Sequence, residues 1–255
     1  MTTTYKIVVP ARMASTRLPN KPLADIHGKP MVVRVAERVA HTQASEIVVA
    51  TDHADIVDVC NMHGIDVVLT SPDCPSGTDR IAEVAIAKGW GNEQIIVNVQ
   101  GDEPLIEPAL VDQVALRLAQ SDASIATCGS FFGSWEDFCN PNMVKIVLDG
   151  SGHALYFSRA PVPYPRDLMV QSARGPLPGH FQPIRHIGMY AYKVAFLRDY
   201  VQWPQSPLDS TESLEQLRAL YHGHRISVIL IDETPAPGVD TPEDLERVRR
   251  LWRTH

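Results

Sequence analysis

Three cations, Arg12, Arg17 and Lys21, fall in one loop of the stretch Val8-Val9-Pro10-Ala11-Arg12-Met13-Ala14-Ser15-Thr16-Arg17-Leu18-Pro19-Asn20-Lys21-Pro22-Leu23. Guanidinium forks and a lysine point charge suit the oxygens of phosphate. The whole chain carries a net charge of −7, so the positive spot is local. It points to a polyanion site and not to a basic face for nucleic acid or an anionic membrane. Ala11, Ala14 and Ser15 are small enough to let backbone N–H groups approach an anion. Neither Gly-x-x-x-x-Gly-Lys-Ser/Thr nor Gly-x-Gly-x-x-Gly occurs, so the phosphate-loop and dinucleotide readings lack their motifs. The alternative is a solvated loop with incidental cations.

Two carboxylates offer a partner chemistry. Asp102 follows the apolar run Ile95-Ile96-Val97-Asn98-Val99, with Gln100 and Gly101 between. A strand-end carboxylate can hold Mg2+, which takes few protein carboxylates and keeps phosphate oxygens and waters; the alternative is a turn aspartate, and Glu103 beside it fits site or solvent equally. Asp240-Thr241-Pro242-Glu243 opens the last helix. Asp240 with Glu243 imitates a capping box, so by residue type alone Asp240 reads as a cap; but Pro242 is favoured at the first helical position, which makes Thr241 the better N-cap and leaves Asp240 able to face a cleft.

Two further segments carry chemistry. In Pro75-Ser76-Gly77-Thr78-Asp79-Arg80, Ser76, Thr78 or Asp79 can cap a helix, but Arg80 sits in the first turn, where the helix dipole disfavours a cation. Along 184–192, alternation puts Ile184, His186, Gly188, Tyr190 and Tyr192 on one face, and Arg185, Ile187, Met189 and Ala191 on the other. The second set reads as the core face, so His186 and Tyr190 point together toward something polar, either a ligand or solvent.

The elements that must position these groups alternate in the first half. Strands are predicted at 5–9, 46–51, 65–69 and 95–99, and helices at 30–42, 53–63, 78–88 and 108–120. Short β-branched apolar strands in βαβα order predict a doubly wound, mostly parallel α/β sheet. Ligands then sit beyond the strands' carboxyl ends, where the loop at 10–22 and the segment Gln100–Pro104 both fall. Further on, Met143–Leu148 and His153–Ser158 flank Asp149-Gly150-Ser151-Gly152 as a hairpin. A Pro/Gly-rich stretch at 161–183 is long for a plain connection. A strand at 184–192, helices near 194–201 and 211–222, a strand at 225–231 and a helix at 242–253 complete the prediction.

The 255 residues are read as one α/β domain. Residues 1–130 form the parallel half that carries the cation loop, 131–225 a smaller mixed lobe, and 226–255 a return to the first half. Cys60, Cys74, Cys128 and Cys139 are widely spaced, with no Cys-x-x-Cys, and fit free thiols in a reducing cytosol. No apolar run approaches a membrane span, and the N-terminus lacks a signal-peptide pattern. A cytoplasmic protein without membrane insertion is expected.

From Pro10 to Leu23, Pro-Ala-Arg-x-x-Ser-x-Arg-Leu-Pro-x-Lys-Pro-Leu closely resembles the signature of the sugar-acid cytidylyltransferases. It is nearest to the branch acting on 3-deoxy-D-manno-octulosonate (Kdo). The sialic acid branch typically has Gly-Ser-Lys-Gly where this chain has Ala14-Ser15-Thr16-Arg17. The resemblance continues through Pro75–Arg80, Asn98–Pro104, Tyr156–Arg159, Arg185–Tyr190 and Gly238–Pro242, over most of the chain.

The resemblance implies a nucleotide-diphospho-sugar transferase-like fold, with 1–130 mainly nucleotide-binding and 131–225 mainly a sugar-binding and dimerisation lobe, and a homodimer. It implies transfer of CMP from CTP to Kdo with release of pyrophosphate, for lipopolysaccharide biosynthesis. Arg12 and Lys21 then act in catalysis with Asp102 and Asp240, the two Mg2+ ligands. Ala11, Arg12, Ser15, Arg17, Lys21, Ser76, Gly77, Arg80 and Gln100 hold the nucleotide, with Arg80 reading cytosine. Gln100, Arg159, His186, Tyr190, Glu215 and Gln216 hold the sugar acid; by residue type alone, Glu215 and Gln216 could equally be helix surface. No residue stands out as general base. Rival readings are a cytidylyltransferase for 8-amino-Kdo or sialic acid, a Mg-dependent glycosyltransferase, whose usual Asp-x-Asp is missing here, and a non-catalytic nucleotide-binding regulator.

Overall fold

The computed structural model describes residues 4–14, 17–168 and 175–252. Ser15, and residues 169–174 of the 161–183 stretch, lie outside the described residues. Strand β1 (Tyr5–Ala11) leads through a 3-10 turn (Lys21–Leu23) and a small hairpin, β2 (Asp25–Ile26) and β3 (Lys29–Pro30), into helix α1 (Met31–Val39). β4 (Glu46–Thr51), α2 (Ala54–Met62), β5 (Val67–Leu69), α3 (Gly77–Ala87), β6 (Ile95–Asn98) and α4 (Pro108–Ala119) follow in alternation. The second half holds β7 (Ile125–Phe131), α5 (Trp135–Cys139), β8 (Lys145–Leu148), β9 (Ala154–Ser158) and β10 (Ile184–Lys193). It ends with α6 (Val194–Tyr200), α7 (Pro207–Glu212), α8 (Gln216–Tyr221), β11 (Ile226–Leu230) and α9 (Pro242–Trp252).

One sheet runs β11-β7-β10-β6-β1-β4-β5. All of its neighbours are parallel except β10, which lies antiparallel between β6 and β7. From β1 the chain moves outward to β4 and β5, and β6 then returns to the opposite side of β1. That reversal is the switch point where a doubly wound sheet opens a crevice at its carboxyl edge. The loops after β1 and β6 both border it.

Strand alternation explains the two cores. Tyr5, Ile7, Val9 and Ala11 of β1, with Ile95 and Val97 of β6, join the cluster under α1, α2 and α4. Val8 and Ile96 turn the other way, with Ile81 of α3, Phe196 of α6 and Leu217 of α8. On β10, Met189 and Ala191 enter the first cluster, as the alternation predicts. On the opposite face Tyr190 and Tyr192 rest on the second cluster.

The smaller lobe is an extension of the same sheet. β8 pairs with the start of β10 and with β9, and Phe132, Trp135 and Phe138 form a satellite core beneath it. β7 and α5 were not anticipated from the sequence. The single helix predicted near 211–222 is two helices, because Ser213 turns left-handed with φ 52. All four cysteines are free. Among the described residues no helix is long and apolar enough to cross a membrane.

Candidate active site

Two cavities open at the carboxyl edge of the sheet. The first, about 330 Å³, is lined by the β1 loop (Ala11, Arg12, Ala14, Lys21), by Ser76 and Gly77, and by Gln100 and Asp102. The second, about 340 Å³, is lined by Asn98, Tyr190, Tyr200 and Gln216 among others. Gly77, Gln100 and Glu215 belong to both, so the two form one cleft.

Close backbone approach brings the charged groups together. A Cβ on Gly101 would lie 2.8 Å from the Pro10 carbonyl oxygen, so only glycine lets the β6 loop lie against the end of β1. Gly101 N–H donates to that carbonyl at 3.2 Å. A Cβ on Gly238 would lie 3.2 Å from the Asp102 carbonyl oxygen, and Val239 N–H donates to the same oxygen at 2.8 Å. Asp240 is thereby laid beside Asp102.

Lys21 bridges the two carboxylates. Its Nζ donates to Asp102 Oδ2 at 2.5 Å and to Asp240 Oδ1 at 3.2 Å. Arg17 Nη2 reaches Asp240 Oδ2 at 3.2 Å. Burial opposes the charge on Lys21, but Asp102 and then Asp240 outweigh it and raise the pKa. The shared ammonium shows that both carboxylates converge on one cation, which fits a Mg2+ ion held by two protein oxygens. No cluster of three or more metal-ligating side chains occurs among the described residues. Glu103 is half-buried, and burial together with Asp102 pushes its carboxyl up to about 8.

The capping at the start of α9 follows the sequence reading, although neither Asp240 nor Arg17 lines either cavity. Thr241 Oγ1 accepts from Asp244 N–H at 3.2 Å, and Asp244 Oδ2 accepts from the N–H groups of Asp240 and Thr241, both at 3.1 Å. Thr241 is the cap, and the Asp240 side chain is free to face the cleft. Ser76 caps α3 by accepting from Asp79 N–H, and it also lines the first cavity. Arg12 Nη2 donates to the Cys74 carbonyl at 2.7 Å, which ties the β1 loop to the segment before α3.

Three predicted residues sit differently. Arg80 is fully buried and lines neither cavity. Its guanidinium bonds Asp52 at 2.6 Å and the Thr70 hydroxyl, and these partners offset the unfavourable helix dipole. Arg159 spends its guanidinium on carbonyls: Glu212 at 2.6 Å, Pro141 at 3.1 Å and Ser213 at 3.3 Å. It clamps the turn that leads into Leu214 and Glu215 and lines neither cavity itself. His186 does pair with Tyr190 as predicted, ring centroids 5.3 Å apart, because the bulge after Ile187 preserves their shared face. The imidazole packs on Phe157, bonds Thr127 Oγ1 at 3.1 Å, and is held neutral by burial, its pKa lowered to about 3. It too lies off both linings.

Gln100, Tyr190, Glu215 and Gln216 do line the second cavity. Burial raises the pKa of Glu215, and Thr78 Oγ1 donates to it at 3.2 Å. Sequence reasoning missed Asn98, Tyr192, Phe196 and Tyr200, all on the second lining. Asn98 had a signal: it interrupts an apolar strand two residues before Gln100, on the same face.

Known proteins resemble this chain over most of its length. The profile of the cytidylyltransferase family matches residues 6–226. Over 252 residues the chain is 52% identical to a 3-deoxy-manno-octulosonate cytidylyltransferase of Neisseria gonorrhoeae, covering 99% of each. A relative with the same name from an Acidovorax species is 53% identical over 253 residues, covering 97% of each. A solved CMP:2-keto-3-deoxy-manno-octonic acid synthetase in complex with CTP superposes with a TM-score of 0.86 at 37% identity, over 98% of both chains. A cytidylyltransferase from Leptospira borgpetersenii, 15% identical with a TM-score of 0.61, shares the fold.

Proposed function

Because the chain belongs to the cytidylyltransferase family, we propose that its joined cavities transfer CMP from CTP to the anomeric 2-hydroxyl of Kdo, giving CMP-Kdo and pyrophosphate. The observation that carries this reading is the junction. A cation-lined cavity and a polyol-sized one meet at Gly77, Gln100 and Glu215, so a nucleotide α-phosphate and a sugar hydroxyl can come together there.

The sugar hydroxyl oxygen bonds to the α-phosphorus and loses its proton to solvent, while the bond to the β-phosphate oxygen breaks in line and pyrophosphate leaves. Arg12, Arg17 and Lys21 neutralise the triphosphate and the charge that grows on pyrophosphate. The Arg12 contact with the Cys74 carbonyl fixes one edge of its guanidinium and leaves the rest for phosphate. Asp102 and Asp240 would hold Mg2+, which when bound supplies charge neutralisation at phosphate oxygens and acidifies a coordinated hydroxyl. Glu215 meets the sugar at the junction, and Gln100 and Gln216 bind its hydroxyls. Arg159 serves the sugar site by clamping the Glu212–Ser213 turn. His186 is held neutral and supports Tyr190, so it is not assigned as the base.

The same reading includes a cytoplasmic homodimer that supplies activated Kdo for lipopolysaccharide biosynthesis. Exposed apolar side chains of the second lobe, Phe131, Leu155 and Tyr164, support self-association, and sedimentation velocity measures it. The activity is tested by pyrophosphate release with CTP and Mg2+ against a panel of acid sugars. Release with Kdo is expected; release only with another acid sugar overturns the substrate and keeps the chemistry.

A further inference from the structure

The second cavity is lined by residues that carry buried polar atoms without a partner, although the Asn98 side chain also bonds Tyr192. Asn98 is 4% exposed and Tyr200 2% exposed. Asn98 Oδ1, Tyr200 OH and Gln216 Nε2 are buried without a hydrogen-bond partner among the described residues, and all three residues line this cavity. Buried polar atoms are almost always paired, and one left unpaired is destabilising. Three such atoms on one cavity wall mark a ligand surface. They supply an acceptor, a hydroxyl of either sense and a donor, the complement of neighbouring alcohol groups.

The surface is rigid. Tyr200 packs on Phe196, ring centroids 5.6 Å apart, and the Arg218 guanidinium lies 4.6 Å over its ring. Arg218 Nε is fixed by buried Asp209 at 2.9 Å. Asn98 is held on β6 directly opposite Tyr190 of β10. It shares a face with Gln100 but stands one strand repeat, about 6.7 Å, farther from the phosphate end. Neither Asn98 nor Tyr200 lines the first cavity. A sugar that presents its anomeric oxygen at the junction therefore extends its other end toward them.

We propose that Asn98 and Tyr200, with Gln216, form the specificity pocket for the exocyclic hydroxyls at carbons 7 and 8 of the sugar. This rests on the Kdo reading above. Turnover of Kdo by the unaltered chain tests that reading; selectivity among sugars tests the pocket.

The experiment compares Kdo with its 8-deoxy analogue, in which the terminal hydroxyl is replaced by hydrogen, for the unaltered chain, Tyr200→Phe and Asn98→Leu. The unaltered chain should prefer Kdo in kcat/KM by about 10–100-fold, since a site built to bond a hydroxyl leaves its own polar groups unpaired with the analogue. Tyr200→Phe should raise KM for Kdo about 10-fold with kcat and KM for CTP nearly unchanged, and should bring the preference down toward unity. Its melting temperature without substrate should stay level or rise, because the hydroxyl has no partner to lose; a merely structural tyrosine would give a fall. Equal use of the two sugars by the unaltered chain overturns the pocket whatever the variants do. A preference unchanged in both variants also overturns it. If Kdo is not turned over at all, the functional reading fails and the pocket with it.

Discussion

Replacing Lys21 by methionine separates two tasks that one ammonium performs. In the free protein its Nζ, on a side chain 15% exposed, joins Asp102, 30% exposed, to Asp240, 51% exposed. Without it, two carboxylates roughly 5 Å apart repel by about 3 kcal/mol at an effective dielectric of 20 and by about 1 kcal/mol in water. Because Asp240 is half in solvent and Arg17 still faces it, the loss of stability should fall near 1–2 kcal/mol. For a chain of this size that lowers the melting temperature by about 2–8 °C. Divalent cation should restore more of the melting temperature in Lys21→Met than it adds to the unaltered chain, since the variant's carboxylates are no longer neutralised. In turnover, loss of a charge that stabilises departing phosphate should lower kcat/KM by about 10²–10³-fold. Scanning calorimetry with and without Mg2+, and pyrophosphate release, read the two effects separately. A variant that keeps kcat/KM within about threefold, or that melts unchanged with no extra response to Mg2+, refutes the reasoning.

Three other substitutions probe the supporting geometry. Gly101→Ala puts a methyl 2.8 Å from the Pro10 carbonyl oxygen; it should cost about 1–3 kcal/mol of stability and depress turnover by displacing Asp102, and urea unfolding that matches the unaltered chain would contradict the close approach. Thr241→Ala removes the α9 cap and should destabilise by about 1 kcal/mol, a loss that thermal melting would detect and that Thr241→Ser should largely recover. The third concerns pH. His186 has a folded pKa of about 3, below its unfolded value of about 6.5, so the stability it contributes is fully present above pH 6.5 and is lost as pH falls toward 3. His186→Gln should therefore show a shallower fall in melting temperature between pH 7 and 5, by the equivalent of about 2 kcal/mol at pH 5, and parallel curves would count against burial of the neutral ring.

The parallel half was legible because its strands are covered on both faces and so read as unbroken apolar runs, as in Ile7–Val9 and Ile95–Val97. β7 escaped notice because Ala126-Thr127-Cys128-Gly129-Ser130 lacks such a run. Its smallness is imposed by packing: a Cβ on Gly129 would sit 2.7 Å from Ile184 Cγ2 and 2.8 Å from the Arg185 carbonyl oxygen. The break at Ser213 was hidden because nothing in its own type demands a left-handed turn; contacts from Arg159 to the Glu212 and Ser213 carbonyls hold it there. Helix-start chemistry favoured Thr241 as the cap, since Pro242 is suited to the first helical position, but the site role of Asp240 came from the family resemblance.

Arg80 has a partner that the sequence did not reveal. A cation in a first turn is disfavoured by the helix dipole, and Asp52, 28 positions earlier in the chain, neutralises it inside the fold. Asn98 was itself missed: a polar residue in a buried strand was passed over as part of the run, although strand alternation already set it on the same face as Gln100.

The central claim is that a sugar oxygen in one cavity attacks the α-phosphate held in the other. Kdo carrying 18O at its 2-hydroxyl, turned over with CTP and Mg2+, tests it by 31P NMR. The account predicts CMP-Kdo whose single phosphorus signal carries the isotope shift, with unlabelled pyrophosphate. Label in pyrophosphate, or no labelled phosphodiester while CTP is consumed, would contradict it.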